Sequence, residues 1–344
     1  MTVTIAPLAP AAGGSGDLMM NRRVFMGGVA AATVLAPRAA SAQTPPTARR
    51  IGLLMATTPT AAAHIVVAFA DGLRELGHVE GKNVRFEYRW AEGHRERFAE
   101  MAADLVRQPV DVLVASSQAA ALAAQRATWT IPIVMVNASD PVEAGLVASL
   151  ARPGGNVTGL SEYLTREIRA KQLQLLKEAL PKMSGVAVLH SAATTVGLRE
   201  YEAAGQTVAV RVQIVEIRNR DDLEPAFAAL ARARIDALLV PADPFLFTER
   251  QRVAALAREH RLPGMYSTRE YAEAGGLMSY SARLSEQFRR AAIYIDKILR
   301  GASPATLPVE APSQYELVIN VTTAKTLGLT IPPSLLQRAD QVIE

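Results

Sequence analysis

"DVLVASSQAAALAAQRATWTIPIVMVNAS", residues 111–139, is the stretch whose reading decides the fold. Its ends, DVLVAS and IPIVMVNAS, are short apolar runs rich in valine and isoleucine, as buried strands are, and the alanine-rich QAAALAAQRA between them reads as a helix. Strand, helix and strand in such close succession make the repeating unit of a parallel sheet.

The same alternation extends in both directions. Upstream, RIGLLMA (50–56) is strand-like, and Ile65, Phe69, Leu73 and Leu76 then recur at helical spacing until Gly77 supplies a stop. VRFEYRWA (84–91) leads to the helical RERFAEMAADLVRQ (95–108), and IPIVMVNAS leads to PVEAGLVASLA (141–151), read as a fourth helix. The pattern pauses at RPGGNVTG (152–159). That turn precedes a strand and lacks the lysine-hydroxyl ending of a phosphate loop. GVAVLHS (185–191), VQIVEIRN (212–219), DALLVPA (236–242) and LPGMYST (262–268) then restart it, each followed by a helical pattern. Phe288, Ala292, Ile295 and Leu299 mark one more core-facing helix before the proline-rich SPATLPVEAPS (303–313), the strand YELVINV (315–321) and a short terminal helix. The expected fold is α/β, with two Rossmann-like lobes, each built on a parallel sheet.

Composition narrows the function. The chain has 344 residues, 49% hydrophobic and 20% charged, as ordinary globular proteins do. Arg22, Arg23 and Arg38 against Asp17 account for +2 of the net charge of +4, and the +2 left without that segment is too weak to argue for nucleic acid or an anionic membrane. Cysteine is absent, which excludes disulfides, thiolate metal sites, a cysteine nucleophile and a lipid-modified N-terminal cysteine. His64, His78, His94, His190 and His260 show no metal-ligand spacing, no G-x-S-x-G elbow occurs, and MATTPTAAA after the first strand holds no glycine for a dinucleotide fingerprint. Neither catalytic residues nor a metal or cofactor are expected.

From Met20, MNRRVFMGGVAAATVLAPRAASAQ has a charged front, a short apolar middle from Val24 to Leu35 and the small-residue ending Ala40-Ser41-Ala42. This is the pattern of a cleavable export signal, with Arg22-Arg23 of the twin-arginine kind and cleavage after Ala42. Residues 1–18 fit none of the signal's regions, which makes Met19 or Met20 alternative start sites to Met1. The mature protein is expected in the periplasm.

In open parallel sheets, ligands bind beyond the carboxyl ends of the strands. In the first lobe those ends carry Thr57 and Thr58, then Ser116, Ser117 and Gln118, then Asn137, Ala138, Ser139 and Asp140. Hydroxyls and backbone N–H groups at a helix start suit a carboxylate, although serines there also serve as N-caps, and Asp140 before Pro141 is a good helix start signal in its own right. In the second lobe the ends carry His190 and Ser191, then Asp243, then Tyr266. Asp243 is either the partner of a ligand amine or a cap before Pro244. Tyr163, Phe245, Phe247, Tyr266 and Tyr280 are candidate apolar walls, and the two phenylalanines could equally be lobe core.

Five long segments carry a resemblance. GLRELGHVEGKNVRFEYRWAEG (72–93), DPVEAGLVASLARPGGNVTGLS (140–161), HRLPGMYSTREYAEAGGLMSY (260–280), RRAAIYIDKILRGASPATLPVEAPSQYELVIN (289–320) and TAKTLGLTIPPSLLQRADQVIE (323–344) together resemble the tryptophan/tyrosine-type substrate-binding proteins of ABC transporters. The sequence departs from that family's pattern at SYSARL and at PSQYELVIN, both beside expected hinges. The resemblance implies a type I periplasmic-binding-protein fold whose lobes are joined by three crossings, near Leu160–Glu162, Met278–Ser281 and Pro312–Tyr315. It implies residues 1–42 as extension and signal, 49–161 plus 279–312 as lobe 1, and 162–278 plus 313–344 as lobe 2. Amino-acid binders of this fold hold the ligand carboxylate from the ends of the third and fourth strands, where Ser116, Ser117, Ala138 and Ser139 stand here. The implied protein is a monomer that binds a small solute, an amino acid and an aromatic one among the candidates, and delivers it to a permease and ATPase in the inner membrane. A periplasmic sensor with a signalling partner and an exported cofactor enzyme are the alternatives.

Overall fold

The strand–helix–strand segment at 111–139 becomes the middle of a five-stranded sheet. β1 (Arg49–Met55), β2 (Val84–Trp90), β3 (Val112–Ala115), β4 (Ile133–Ala138) and β5 (Val157–Ser161) pair in the order β2-β1-β3-β4-β5, every pair parallel. Side chains alternate between its faces. Ile51, Leu53 and Met55 pack with the apolar stripe of α1 (Ala63–Glu75) and with α10 (Leu284–Leu299), while Leu54 packs with α2 (Phe98–Arg107) and α3 (Gln118–Ala127). The close pairing of α1 with α10 depends on Gly72, where an added Cβ would lie 2.7 Å from the Arg289 carbonyl oxygen.

The computed structural model describes residues 48–162, 166–192, 197–312 and 314–344. The export signal and Tyr163 fall outside them.

α4 (Arg166–Ala179) opens the second lobe. Its strands are β6 (Gly185–Ser191), β7 (Arg211–Ile217), β8 (Ala237–Val240), β9 (Gly264–Tyr266), β10 (Met278–Ser281), β11 (Glu316–Asn320) and β12 (Gln341–Ile343), in the order β12-β11-β10-β9-β8-β6-β7. Val186 and Val188 face α4 and α5 (Leu198–Thr207). Ala187 and Leu189 face α6 (Leu223–Arg232), α7 (Pro244–Thr248), α8 (Arg250–Glu259) and α9 (Arg269–Glu273). Each lobe is thus a sheet covered on both faces, and burying each large apolar side chain contributes roughly 1.5–3 kcal/mol.

Three features differ from the sequence reading. Residues 141–151 form a series of turns, not a helix. The Asp140 carboxylate does accept from the N–H groups of Val142 and Glu143, but the chain then reverses through Gly145 at φ +71°. The second sheet is not wholly parallel: β11 runs antiparallel to β10, because the chain returns to this sheet from the first lobe. The C-terminus adds α11 (Val321–Thr326), α12 (Pro333–Leu336) and then β12, which pairs parallel with β11.

The chain passes between the sheets three times. It leaves the first after β5, returns through Ala282–Arg283 into α10, and leaves again between Glu310 and Glu316. β10 pairs along its whole length with the second sheet, so the middle crossing follows Ser281 rather than occupying Met278–Ser281.

Two substitutions test this architecture. Gly159 in β5 has φ +129°, and a Cβ there would lie 2.2 Å from the Met135 carbonyl oxygen. Gly159→Ala is expected to cost about 3 kcal/mol or more by denaturant unfolding, and an unchanged midpoint would contradict the β4–β5 packing. Asp243 caps α7: its Oδ1 accepts from the Leu246 N–H at 2.9 Å, and its Oδ2 accepts from the N–H and Oγ of Ser191, both at 2.7 Å. Asp243→Ala should lower the stability of the ligand-free protein by about 1–3 kcal/mol, whereas full stability would mean that these bonds hold nothing in place.

Candidate functional site

The carboxyl ends of β1, β3 and β4 meet the ends of β8 and β9 across one cavity. On the first-lobe side it is lined by Thr57, Ser116, Ser117, Gln118, Asn137 and Ser139. Ala242, Asp243, Pro244, Ser267 and Thr268 line the second-lobe side. Ile65, Phe98, Leu122, Phe247, Leu284 and Phe288 make its apolar surface. Measured to the centres of water-sized spheres, its volume is about 130 Å³. A cavity needs roughly 10–15 Å³ to hold a single water, so this one has room for a small solute.

The polar groups of the first lobe are held by short local bonds. Ser117 is the N-cap of α3, its Oγ accepting from the Ala120 N–H at 3.2 Å. Ser116 Oγ accepts from the Ala56 N–H at 2.7 Å, which ties β1 to β3 at the cavity floor. Gln118 is oriented by the N–H of Asp140, which donates to its Oε1 at 2.9 Å. The first turn of α3 therefore faces the cavity with its N–H groups and the positive end of its dipole, a setting that favours a carboxylate. Asn137 adopts φ +62° where the β4–β5 register shifts, a conformation that costs a non-glycine residue energy and brings Asn137 to the wall.

The remaining candidates stand elsewhere. Thr58 Oγ1 accepts from the Ala61 N–H in the turn before α1, and the Ala138 carbonyl accepts from the Glu162 N–H at 2.8 Å. Asp140 caps its turn. His190 is buried with Nδ1 3.0 Å from the Ser191 carbonyl, and Ser191 both holds Asp243 and borders the cleft mouth. Tyr266 points into the second-lobe core, stacked on Tyr271 at 4.8 Å, and is not a wall. Tyr280 stacks on Tyr315 beside the crossings.

Sequence reasoning missed Glu162, a cavity-lining residue only 5% exposed. Burial pushes its carboxyl up to about 8, against a smaller opposing pull from the charge of Arg169. A carboxylate directly after the strand VTGLS is a weak signal, since nothing in its spacing marks it. Phe288 was legible only as core of α10 and Leu284 was not singled out; the first turns of that helix reach the cavity.

The lobes touch across the cleft. His64 Nε2 lies 2.9 Å from Glu270 Oε1, Arg95 donates to the Ala192 carbonyl at 3.2 Å, and Ala61 packs into the second-lobe core. A Cβ on Gly93 would lie 3.1 Å from Phe245 Cα. Burial raises the Glu270 carboxyl, but the His64 ring and the residue's own N–H outweigh that and leave it below the ordinary carboxylate value. Among the described residues no cluster of histidine and carboxylate side chains could hold a metal ion, and no helix is long and apolar enough to cross a membrane.

A curated relative, the "Tyrosine-binding protein" of Clostridioides difficile (strain R20291), is 29% identical over 264 residues, covering 76% of this chain and 75% of that protein. The crystal structure of an ABC domain in complex with L-Trp from Streptococcus pneumonia is similar at a TM-score of 0.79 and 28% identity, covering 86% of this chain and all of that one. The ligand-free, open structure of a substrate binding protein with adhesive properties from Clostridium difficile scores 0.62 at 25% identity, covering 86% of this chain and 99% of that one. The model of one family, ABC transporter substrate binding protein, matches residues 51–343, and the chain belongs to that family.

Proposed function

We propose that this chain is the solute-binding component of an ABC uptake system and that its two lobes close over one amino acid with an aromatic side chain. The observation that carries this reading is the cavity's division of labour. A helix N-terminus with Ser116, Ser117 and Asn137 stands on one side, and an apolar surface of Phe98, Phe247 and Phe288 completes it. That pairing suits a small molecule with a carboxylate at one end and a ring at the other. The tyrosine named for the curated relative and the L-Trp of the solved complex are molecules of this kind.

Substrate-binding proteins of ABC importers work outside the cytoplasmic membrane. For this chain the Arg22-Arg23 signal supports periplasmic delivery by the twin-arginine route, with cleavage after Ala42. A monomer that hands its solute to a permease–ATPase pair fits the reading. No step of catalysis is needed for it.

A thermal-shift panel of L-tyrosine, L-tryptophan, L-leucine, benzoate and a simple sugar, followed by calorimetry on the hits, tests the reading. The aromatic amino acids should stabilise the protein by about 2.7 kcal/mol at a hundredfold excess over Kd. Stabilisation by benzoate or the sugar, with none by any amino acid, would overturn it.

A further inference from the structure

Glu162 follows β5 at the first crossing, where its N–H is fixed to the Ala138 carbonyl at 2.8 Å. Its side chain lines the cavity, and Oε2 is enclosed with no hydrogen-bond partner among the described residues. A carboxylate buried in that way is unfavourable by several kcal/mol unless it holds a proton or meets a cation. Among the described residues no cation is bonded to that oxygen. Arg169 on α4 acts on it through space but commits its guanidinium to Glu200 on α5. Tyr201 on α5 donates to Gln172, and Tyr315 at the third crossing stacks on Tyr280. Across the cavity, Arg95 is bonded to the Ala192 carbonyl and Asp243 is committed to α7 and Ser191.

An amine entering this cavity therefore meets two carboxylates of unequal readiness. Asp243 already accepts three hydrogen bonds, and Glu162 has an oxygen with none. Building on the amino-acid reading above, we propose that Glu162, and not Asp243, receives the ammonium group of the ligand and so makes the cleft select amino acids over acids without an amine.

The proposal has a consequence in protons. Burial keeps the carboxyl of the empty cleft protonated up to about 8, with Arg169 opposing less strongly. Binding forms a carboxylate–ammonium pair, and the displaced proton passes to solvent. The carboxyl's proton affinity is then high when the cleft is empty and lower when it is loaded. Ligand affinity is accordingly greatest between a pH of about 8 and the point at which the ligand's own ammonium loses its proton, and it is lost as pH falls below about 8, by up to about tenfold per unit until the loaded value is reached.

Calorimetry of L-tyrosine and L-tryptophan with the wild-type and Glu162→Gln proteins decides the matter, with the des-amino acids 3-(4-hydroxyphenyl)propionate and indole-3-propionate as controls. Glu162→Gln should weaken the amino acids by about 100-fold or more and leave the controls unchanged or tighter. Wild-type protein titrated near neutral pH in two buffers of different ionisation enthalpy should release close to one proton per ligand, a measurement that stands even if the variant folds poorly. Equal amino-acid affinity in the folded variant, or no proton release by the wild type, overturns the role of Glu162 and leaves the amino-acid function intact. Wild-type protein that binds the des-amino acids and no amino acid overturns the function itself.

Discussion

Everything at the cleft depends on a short backbone ladder at the end of β5. The Glu162 N–H donates to the Ala138 carbonyl at 2.8 Å, the Ser161 N–H to the Glu310 carbonyl at 2.9 Å, and the Glu310 N–H to the Gly159 carbonyl at 3.0 Å. These bonds clamp the first and third crossings to the edge of the first sheet. They also fit around the shift in β4 that turns Asn137 toward the cavity, and Gly159 lies against the backbone of Met135 there. Crossing, bulge and cavity wall are one piece of backbone, which is why Glu162 can be both a crossing residue and a cavity residue.

From this anchor the two lobes divide the work. The first holds the proposed anion site, where Ser116 and Ser117 are already bound to the Ala56 and Ala120 N–H groups and have little freedom left to lose. The second supplies Asp243, Ser267 and Thr268 on its own strand ends, and among the described residues its bonds to the first include His64–Glu270 and Arg95–Ala192. The His64–Glu270 pair is the best defined of these, yet the His64 side chain is 40% exposed, so solvent screens much of its attraction. An ion pair exposed in this way contributes little to closure. A ligand that touches both walls shifts the balance by its differential affinity for the closed form.

The alternation of apolar runs and amphipathic stretches made both sheets legible, and of the residues read at strand ends Thr57, Ser116, Ser117, Gln118, Asn137, Ser139 and Asp243 line the cavity. Other features were not legible for local reasons. The opening Asp140-Pro141 is the same for a capped turn as for a capped helix, and only the positive φ of Gly145 separates them. Tyr266 ends a strand, but a strand presents alternate residues to opposite faces, and its parity sends it into the core against Tyr271. The direction of β11 depends on a return from the other lobe, a long-range event that no local pattern encodes. Glu162 was invisible because a lone carboxylate acquires meaning only from what fails to surround it.

The central claim is that the lobes close on an aromatic amino acid held at their strand ends. Solution X-ray scattering of the mature protein, with and without saturating L-tyrosine or L-tryptophan, tests it most directly. The account predicts a larger radius of gyration without ligand than with it. Profiles that coincide while calorimetry shows the ligand bound would contradict closure as the mode of binding.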